Sequence, residues 1–480
     1  MDTKIRLSVQ DRMFLLAETR ETPMHVGGLQ IFKAPPRAPA NFVAALVETL
    51  RSFPASVPPL NYRLAEGFAS NALPSWEVID DVDLDYHVRH SALPQPGGER
   101  ELGALVSRLH SNRMDLSRPL WEYHLIEGLA GRRFAIYCKL HHAMVDGAGG
   151  MRLMNLATGR AGSYAPPFWA DASRQPRGTA PRSDSLLDRL PAAIEDELSS
   201  LPSLVRGLTA TAQAALGAGA GSDLTSIVEA PRTMLNVRVG AQRRVATYAV
   251  SLARLKAIGE SAGGTINDVV LAACSGALRR YLGERDALPE HTLIAAVPMA
   301  LHHQEGAAAG NAVTCLIARL GTDVEDVRQR FETICRSSAA GKAQLKGMTR
   351  TAAMHFVTVL SVPVLLQALV PGVEKLIRPQ SNLIISNVPG PRERLYLHGA
   401  EMLAHYPVSQ VGHGMALNIT VLSYAGRLHF GFVACPDSVP SVQRLAVHMA
   451  AAMEELEATF LARRRPSGTG SATGTNRRSR

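Results

Sequence analysis

The run of residues 141–147, with the sequence HHAMVDG, constrains this chain most, because a strand pattern leads into it and a glycine-rich turn follows it. Residues 133–140 are rich in apolar and aromatic side chains over about the length of one strand, which predicts a half-buried strand. The glycines within residues 147–150 allow a tight turn, and residues 151–156 have the composition of a helix. The sequence therefore predicts adjacent histidines at the end of a strand and a carboxylate in the turn after it.

Consecutive side chains of a strand point to opposite faces, so we do not expect His141 and His142 to lie in the same cleft. One imidazole is expected to act chemically and the other to support the structure. A neutral imidazole can remove the proton of an attacking hydroxyl and return it to a leaving thiolate, without a covalent intermediate. The pattern therefore favours acyl transfer.

Two other interpretations apply to the same motif. Adjacent histidines are often structural or surface residues, and only the continuation through Asp146 and Gly147 sets this pair apart. A zinc site would use two histidines four residues apart on a helix, or a nearby cysteine, and this stretch has neither. The motif alone leaves the structural and the catalytic interpretations open.

The motif HHAMVDG resembles the HHxxxDG motif of the bacterial wax ester synthase/diacylglycerol acyltransferase family, within the chloramphenicol-acetyltransferase-like superfamily. Other segments resemble the family pattern in the same order, namely PMHVG at 23–27, PLWE at 119–122, NDVVLA at 267–272, SNVPG at 386–390 and LNIT at 417–420. HHxxxDG alone is shared with condensation domains and plant acyltransferases. The ordered set, from about Leu7 to Leu461, is what makes the resemblance specific.

The resemblance implies an α/β fold of two chloramphenicol-acetyltransferase-like domains, each a mixed sheet with helices, with a tunnel between them. It implies that an acyl-CoA and a lipid alcohol meet at His142, which acts as general base. Diacylglycerol would give triacylglycerol, and a long-chain alcohol would give a wax ester. The resemblance assigns His141 a supporting role and Asp146 an ion pair that shapes the loop, while Gly147 would let the backbone approach the substrate. It implies no metal and no tightly bound cofactor.

Two other functions stay open. A related acyltransferase would take its acyl group from the pantetheine of a carrier protein instead of from CoA. The second alternative is a catalytically weak lipid-binding protein, because residues 298–302 are PMALH where the family usually has a sequence close to PVSLR. That change removes a hydroxyl and a guanidinium, so the residue that anchors this loop is unassigned.

Asn267 is a candidate substrate-binding residue with an equally good structural interpretation. Residues 265–268 fit a capping box, in which Asp268 reaches back to the amide of Thr265 at the start of a helix. Asn267 lies in the same first turn, where free N–H groups favour developing negative charge. The resemblance places it at the active site.

Ser386 and Asn387 are the other candidates for substrate binding. They follow a strand predicted over residues 383–385 and precede a turn at residues 389–390. This position suits the lining of a tunnel and simple architecture equally well.

Four segments divide the chain. We expect an α/β domain at residues 1–160, a partly helical connector rich in proline and serine at 161–235, and a second domain at 236–462 that resumes with a strand near 244–250. Residues 463–480 are expected to form a disordered basic tail.

Composition and charge indicate where the protein acts and which partners it does not bind. The five cysteines are odd in number and widely spaced, which favours neither a disulfide framework nor a metal cluster, and the amino terminus lacks the apolar run of a signal peptide. Much of the net charge of +9 lies in the tail, whose arginines have no aromatic neighbours, so nucleic acid is not an expected partner. A cytoplasmic location is expected.

Residues 352–373 form the longest apolar stretch, but His355, Pro363, Gln367 and Pro371 interrupt it. We expect a broken helix beside the acyl tunnel or at a membrane interface, rather than a span or an ordinary buried helix. Together with the basic tail, it predicts peripheral association with the inner face of the membrane or with lipid droplets, although the tail could equally be only a solubilising segment.

Overall fold

The strand that leads into the HHAMVDG motif lies inside a six-stranded sheet. The computed structural model describes residues 5–7, 9–65, 74–145, 147–156, 158–160, 165–170, 229–300, 313–346, 366–367, 370 and 372–461. Leu301, His302, most of residues 352–373 and the tail lie outside the described residues, so the expectations for them stay predictions.

The first half contains β1 Ile5–Arg6, α1 Val9–Ala17, β2 His25–Lys33, α2 Phe42–Arg51, β3 Tyr62–Leu64, β4 Ser75–Val78, α3 Leu84–His87, β5 Val88–Ala92, α4 Glu99–Ser111, β6 Trp121–Leu129, β7 Arg133–His141 and α5 Gly147–Leu156. The second half contains β8 Arg244–Ser251, α6 Leu252–Ala262, α7 Ile266–Gly283, β9 Ile294–Ala300, β10 Val313–Arg319, α8 Val327–Lys346, α9 Val373–Leu376, β11 Leu383–Val388, β12 Tyr396–Leu397, β13 Ala400–Val408, β14 Leu417–Tyr424, β15 Arg427–Ala434 and α10 Gln443–Phe460. The strands predicted at 133–140, 244–250 and 383–385 are therefore confirmed.

Both large sheets are mixed. The first has the order β12-β13-β2-β7-β6-β5, in which only β5 and β6 run parallel. The second has the order β10-β9-β11-β14-β15-β8, with β9, β11 and β14 parallel to one another. The predicted α/β architecture of two mixed sheets with helices is confirmed.

The second half contributes a strand pair to the first sheet, which the sequence did not indicate. Strands β12 and β13 belong to the second half of the chain but pair in the first sheet, where Val408 lies opposite Gly27 of β2. Residues 409–416 then cross to β14 in the second sheet. At the junction, a Cβ atom on Gly431 would overlap the carbonyl oxygen of Pro407, so β13 and β15 approach as closely as glycine allows.

The beginning of the predicted connector packs into the first domain. Phe168 and Trp169 are fully buried, and the Trp169 ring stacks on Trp121 with ring centroids 5.2 Å apart. The indole N–H of Trp169 donates to the carbonyl of Phe53 over 3.2 Å. The next described part of the chain begins at residue 229.

Helix ends follow the local sequence. Gly263 ends α6 with a φ of 72°, a left-handed conformation that glycine adopts without strain. At the start of α7, the Thr265 N–H donates to Asp268 Oδ2 over 2.9 Å, and the Asp268 N–H donates to Thr265 Oγ1 over 3.3 Å. The predicted capping box is confirmed.

None of the helices in the described ranges is long and apolar enough to cross a bilayer.

Candidate active site

His141 lies at the last position of β7, opposite His25 of β2, and is fully buried. Its Nδ1 atom accepts the backbone N–H of Ala143 over 3.0 Å. Its Nε2 atom is hydrogen-bonded to a carboxylate oxygen of Glu18. Because Nδ1 is an acceptor, the ring proton lies on Nε2 and is donated to Glu18. His141 therefore faces the protein interior and braces the motif.

Glu18 is the residue directly after α1, and its side chain is 1% exposed. Arg113 Nε donates to its second oxygen, Oε1, over 3.0 Å. Burial raises the pKa of Glu18, but the hydrogen bonds and charges of His141 and Arg113 outweigh this effect and lower the pKa overall. Both carboxylate oxygens are thus occupied by donors, and Glu18 stays ionised.

The same face of β7 carries a second buried ionic group. Lys139 is fully buried and its Nζ lies 3.0 Å from Glu122 Oε2, which also bonds His124 Nε2 at 3.0 Å. Burial raises the pKa of Glu122, yet His124 and Lys139 together lower it to about 2. This side of the strand is fixed by paired charges, two residues from His141.

His142 begins the turn after β7 and has different neighbours. Its backbone N–H donates to the Met24 carbonyl over 2.9 Å, and its ring stacks on Phe14 of α1 with centroids 4.7 Å apart. The residue is partly exposed. Burial, and the charge of neighbouring His141, lower the pKa of His142 to about 4. At neutral pH the ring is uncharged and can accept a proton.

The motif continues into helix α5. Gly147 is the first residue of this ten-residue helix, so the N–H groups of its first turn and the positive end of its dipole lie directly after the histidines. Asp146 lies outside the described residues, and its predicted ion pair remains a prediction.

The remaining candidates lie in the second half. Ser386 is partly buried and lies opposite Thr420 of β14. Leu422, the next residue of β14 on the same face as Thr420, packs in the core of the first domain. Asn387 is exposed on the other face of β11, and Asn267 is partly buried in the first turn of α7. Among the described residues, no hydrogen bond joins any of these candidates to His142.

Glu18, Arg113 and Phe14 were not predicted. Glu18 is separated from His141 by more than a hundred residues in sequence, and no spacing rule links a carboxylate after the first helix to a strand end. The segment at 23–27 was the sequence feature closest to Glu18 that pointed to this site, because its His25 pairs with His141 at the end of β7. Among the described residues there is no cluster of three His, Cys, Asp or Glu side chains that could hold a metal ion.

Comparison with known proteins gives a consistent picture. The profile of the wax ester synthase/diacylglycerol acyltransferase catalytic domain matches residues 7–270, and that of the C-terminal domain matches residues 309–457. A Mycobacterium tuberculosis protein named as a diacylglycerol O-acyltransferase is 41% identical, over 95% of this chain and 98% of its own. The O-acyltransferase WSD of Acinetobacter baylyi is 40% identical, over 92% and 94% of the two chains.

Solved structures agree with the sequence relatives. The wax ester synthase/diacylglycerol acyltransferase of Marinobacter aquaeolei VT8 superposes with a TM-score of 0.76 at 34% identity, covering 95% of this chain and 99% of that chain. The first condensation domain of the CDA synthetase, at 17% identity and a TM-score of 0.55 over 94% and 95% of the chains, shares the fold alone.

We predict that Glu18→Ala lowers both stability and activity. The substitution leaves the buried Nε2–H of His141 without an acceptor, which costs roughly 1–3 kcal/mol. Arg113→Ala is the matched control, because it removes a half-exposed partner of Glu18 and leaves the bond to His141 intact. Thermal melting and acyl-CoA turnover measure the effects. If Glu18→Ala melts and turns over like Arg113→Ala, the bracing role of Glu18 is wrong.

Proposed function

Because the chain belongs to the wax ester synthase/diacylglycerol acyltransferase family, we propose that it transfers a long-chain acyl group from acyl-CoA to a lipid alcohol. Diacylglycerol is the first acceptor we expect, since the mycobacterial relative is named for it, and a long-chain alcohol is the second. The observation that supports this proposal is the uncharged ring of His142, partly exposed at the end of a strand whose other face is fixed by buried ion pairs.

In the proposed reaction, His142 removes the proton of the acceptor hydroxyl as its oxygen attacks the thioester carbonyl. The new C–O bond forms, the C–S bond breaks, and the departing CoA thiolate takes the proton back from His142. General-base catalysis of this kind contributes ~100- to 10,000-fold. Neither a metal nor a cofactor takes part in these steps.

The negative charge on the thioester oxygen needs stabilisation during the attack. We assign this role to the first-turn N–H groups of α5, which begins at Gly147. Asp146 is proposed to shape the turn that presents this helix end. Ser386 is proposed to contact the substrate from the face of the second sheet that turns toward the first domain, and Asn267 and Asn387 remain candidates for binding.

We also propose that the protein collects its substrates at a lipid surface. Leu366, Val370 and Leu376 expose 39%, 47% and 83% of their surfaces, and all three lie in or next to the apolar stretch at 352–373. Lys375 and Arg378 flank Leu376. Apolar burial combined with attraction to anionic lipid gives reversible attachment, on the membrane or on lipid droplets.

We predict that His142→Ala lowers turnover by two to four orders of magnitude, because the general base is lost. Oleoyl-CoA with diacylglycerol, and with hexadecanol, supplies the assay. His291→Ala is the control, since His291 is exposed and distant from the motif in sequence. Near-normal turnover in a folded His142→Ala protein would exclude His142 as the base. Absence of turnover with both acceptors in the unaltered protein would exclude the proposed reaction.

Vesicle sedimentation tests the lipid surface. We expect the protein to pellet with anionic vesicles at low salt and to be partly released at high salt, because salt screens the attraction of basic groups. Removal of residues 463–480 should abolish the salt dependence, and Leu376→Ser should weaken binding at every salt concentration. Equal binding to neutral and anionic vesicles would exclude the role of the tail, and failure to bind either would exclude surface attachment.

A further inference from the structure

A cavity opens in the second half of the chain, at the edge of the second sheet where β11 and β14 begin. Its volume is about 30 Å³, which is room for one or two water-sized groups, such as a hydroxyl at the end of a longer ligand. It is lined by Asn236, Gln367, Glu374, Ile377, Pro379, Gln380, Ser381, His413, Gly414 and Met415. We call it the Gln367–His413 pocket.

Two buried polar atoms in this pocket have no partner among the described residues. They are Oε1 of Gln367, whose residue is 8% exposed, and Nε2 of His413, whose residue is 3% exposed. An unsatisfied buried polar group costs free energy, so such atoms point to a ligand or to ordered water. Gln367 packs against Gly414, the residue after His413, so both atoms belong to one site.

The ring of His413 has a defined orientation. Its Nδ1 atom accepts the backbone N–H of Val239 over 3.2 Å, which leaves the proton on Nε2. Burial and the nearby charge of Arg238 lower the pKa of His413 to about 4, so the ring is neutral at pH 7. The pocket therefore presents one neutral donor, His413 Nε2–H, and one neutral acceptor, Gln367 Oε1.

Charges of both signs surround the pocket. Glu374 contributes a carboxylate whose Oε2 accepts the Gly372 N–H over 3.0 Å, while the guanidinium of Arg232 donates to the Glu374 carbonyl over 2.7 Å and Arg238 lies near His413. These charges offset one another, so they favour no net charge on the ligand. The polar atoms of Asn236 are already engaged, because its Nδ2 donates to the carbonyls of Ser381 and Gly414 at 2.9 Å each. A hydroxyl group, which donates and accepts at the same atom, matches this arrangement.

The surroundings indicate that the ligand also carries an apolar chain. The segment that supplies Gln367, Glu374 and Ile377 to the pocket also carries the exposed side chains of Leu366, Val370 and Leu376. We propose that the Gln367–His413 pocket binds one hydroxyl of an uncharged monoacylglycerol, which has a second hydroxyl. The choice of acylglycerol over other hydroxyl-bearing lipids rests on the proposed function.

Binding of lipid probes without acyl-CoA tests the pocket separately from turnover. The probe is 1-monooleoylglycerol, and methyl oleate is its counterpart with the same chain and an ester but no hydroxyl. We expect the unaltered protein, and the His142→Ala variant, to bind monooleoylglycerol about tenfold more tightly than methyl oleate, the difference expected for two neutral hydrogen bonds.

A matched pair of variants isolates the His413 donor. Both His413→Phe and His413→Gln lose the acceptor for the Val239 N–H, but only glutamine restores an N–H near the position of Nε2. We expect His413→Phe and Gln367→Leu to remove the preference for monooleoylglycerol, and His413→Gln to retain most of it. His291→Phe and Gln329→Leu, at exposed positions, should change nothing.

Three results would overturn the pocket assignment. The first is equal binding of monooleoylglycerol and methyl oleate, which would mean that the pocket holds only water. The second is equal binding by His413→Phe and His413→Gln. The third is tighter binding of 1-oleoyl lysophosphatidic acid that His413→Phe abolishes, which would show an anion site. Loss of turnover with intact lipid preference would contradict the proposed reaction and leave the pocket assignment standing.

Discussion

The buried contact between Glu18 and His141 is the interaction on which the arrangement of the site depends. It joins the residue after the first helix to the last residue of β7, and both side chains are almost completely buried. A hydrogen bond to a charged group contributes about 1.5–3 kcal/mol. It also fixes the tautomer of His141, and this leaves the next residue, His142, on the other side of the chain against Phe14.

The two faces at the end of β7 have opposite electrostatic character. One face pairs Lys139 with Glu122 and His141 with Glu18. His142 stacks on the neutral ring of Phe14, and burial, together with the charge of His141, lowers its pKa to about 4. Such an imidazole is uncharged at pH 7 but is a weaker base than a free one. Because its proton affinity is reduced, positioning and stabilisation of the thioester oxygen must supply more of the rate.

The sequence predicted what local patterns control. The β7 strand follows from a strand-length run of apolar and aromatic residues, and the start of α7 follows from capping chemistry. The resemblance to the family predicted the two mixed sheets and the acyl transfer reaction. The addition of β12 and β13 to the first sheet, and the pairing of Glu18 with His141, could not be predicted, because they depend on which distant segments pack together. Nothing in the local sequence encodes those separations.

The most direct test of the account is the pH dependence of kcat/KM, which reports the pKa of the base in the free enzyme. The base must be deprotonated, and burial lowers the pKa of His142, so activity should persist as pH falls below 6.5 and decline only near pH 4. The measurement requires buffers in which the protein stays folded, verified by circular dichroism at each pH. An acid limb at or above pH 6.5 in the folded enzyme would contradict a half-buried His142, neutral at pH 7, as the general base.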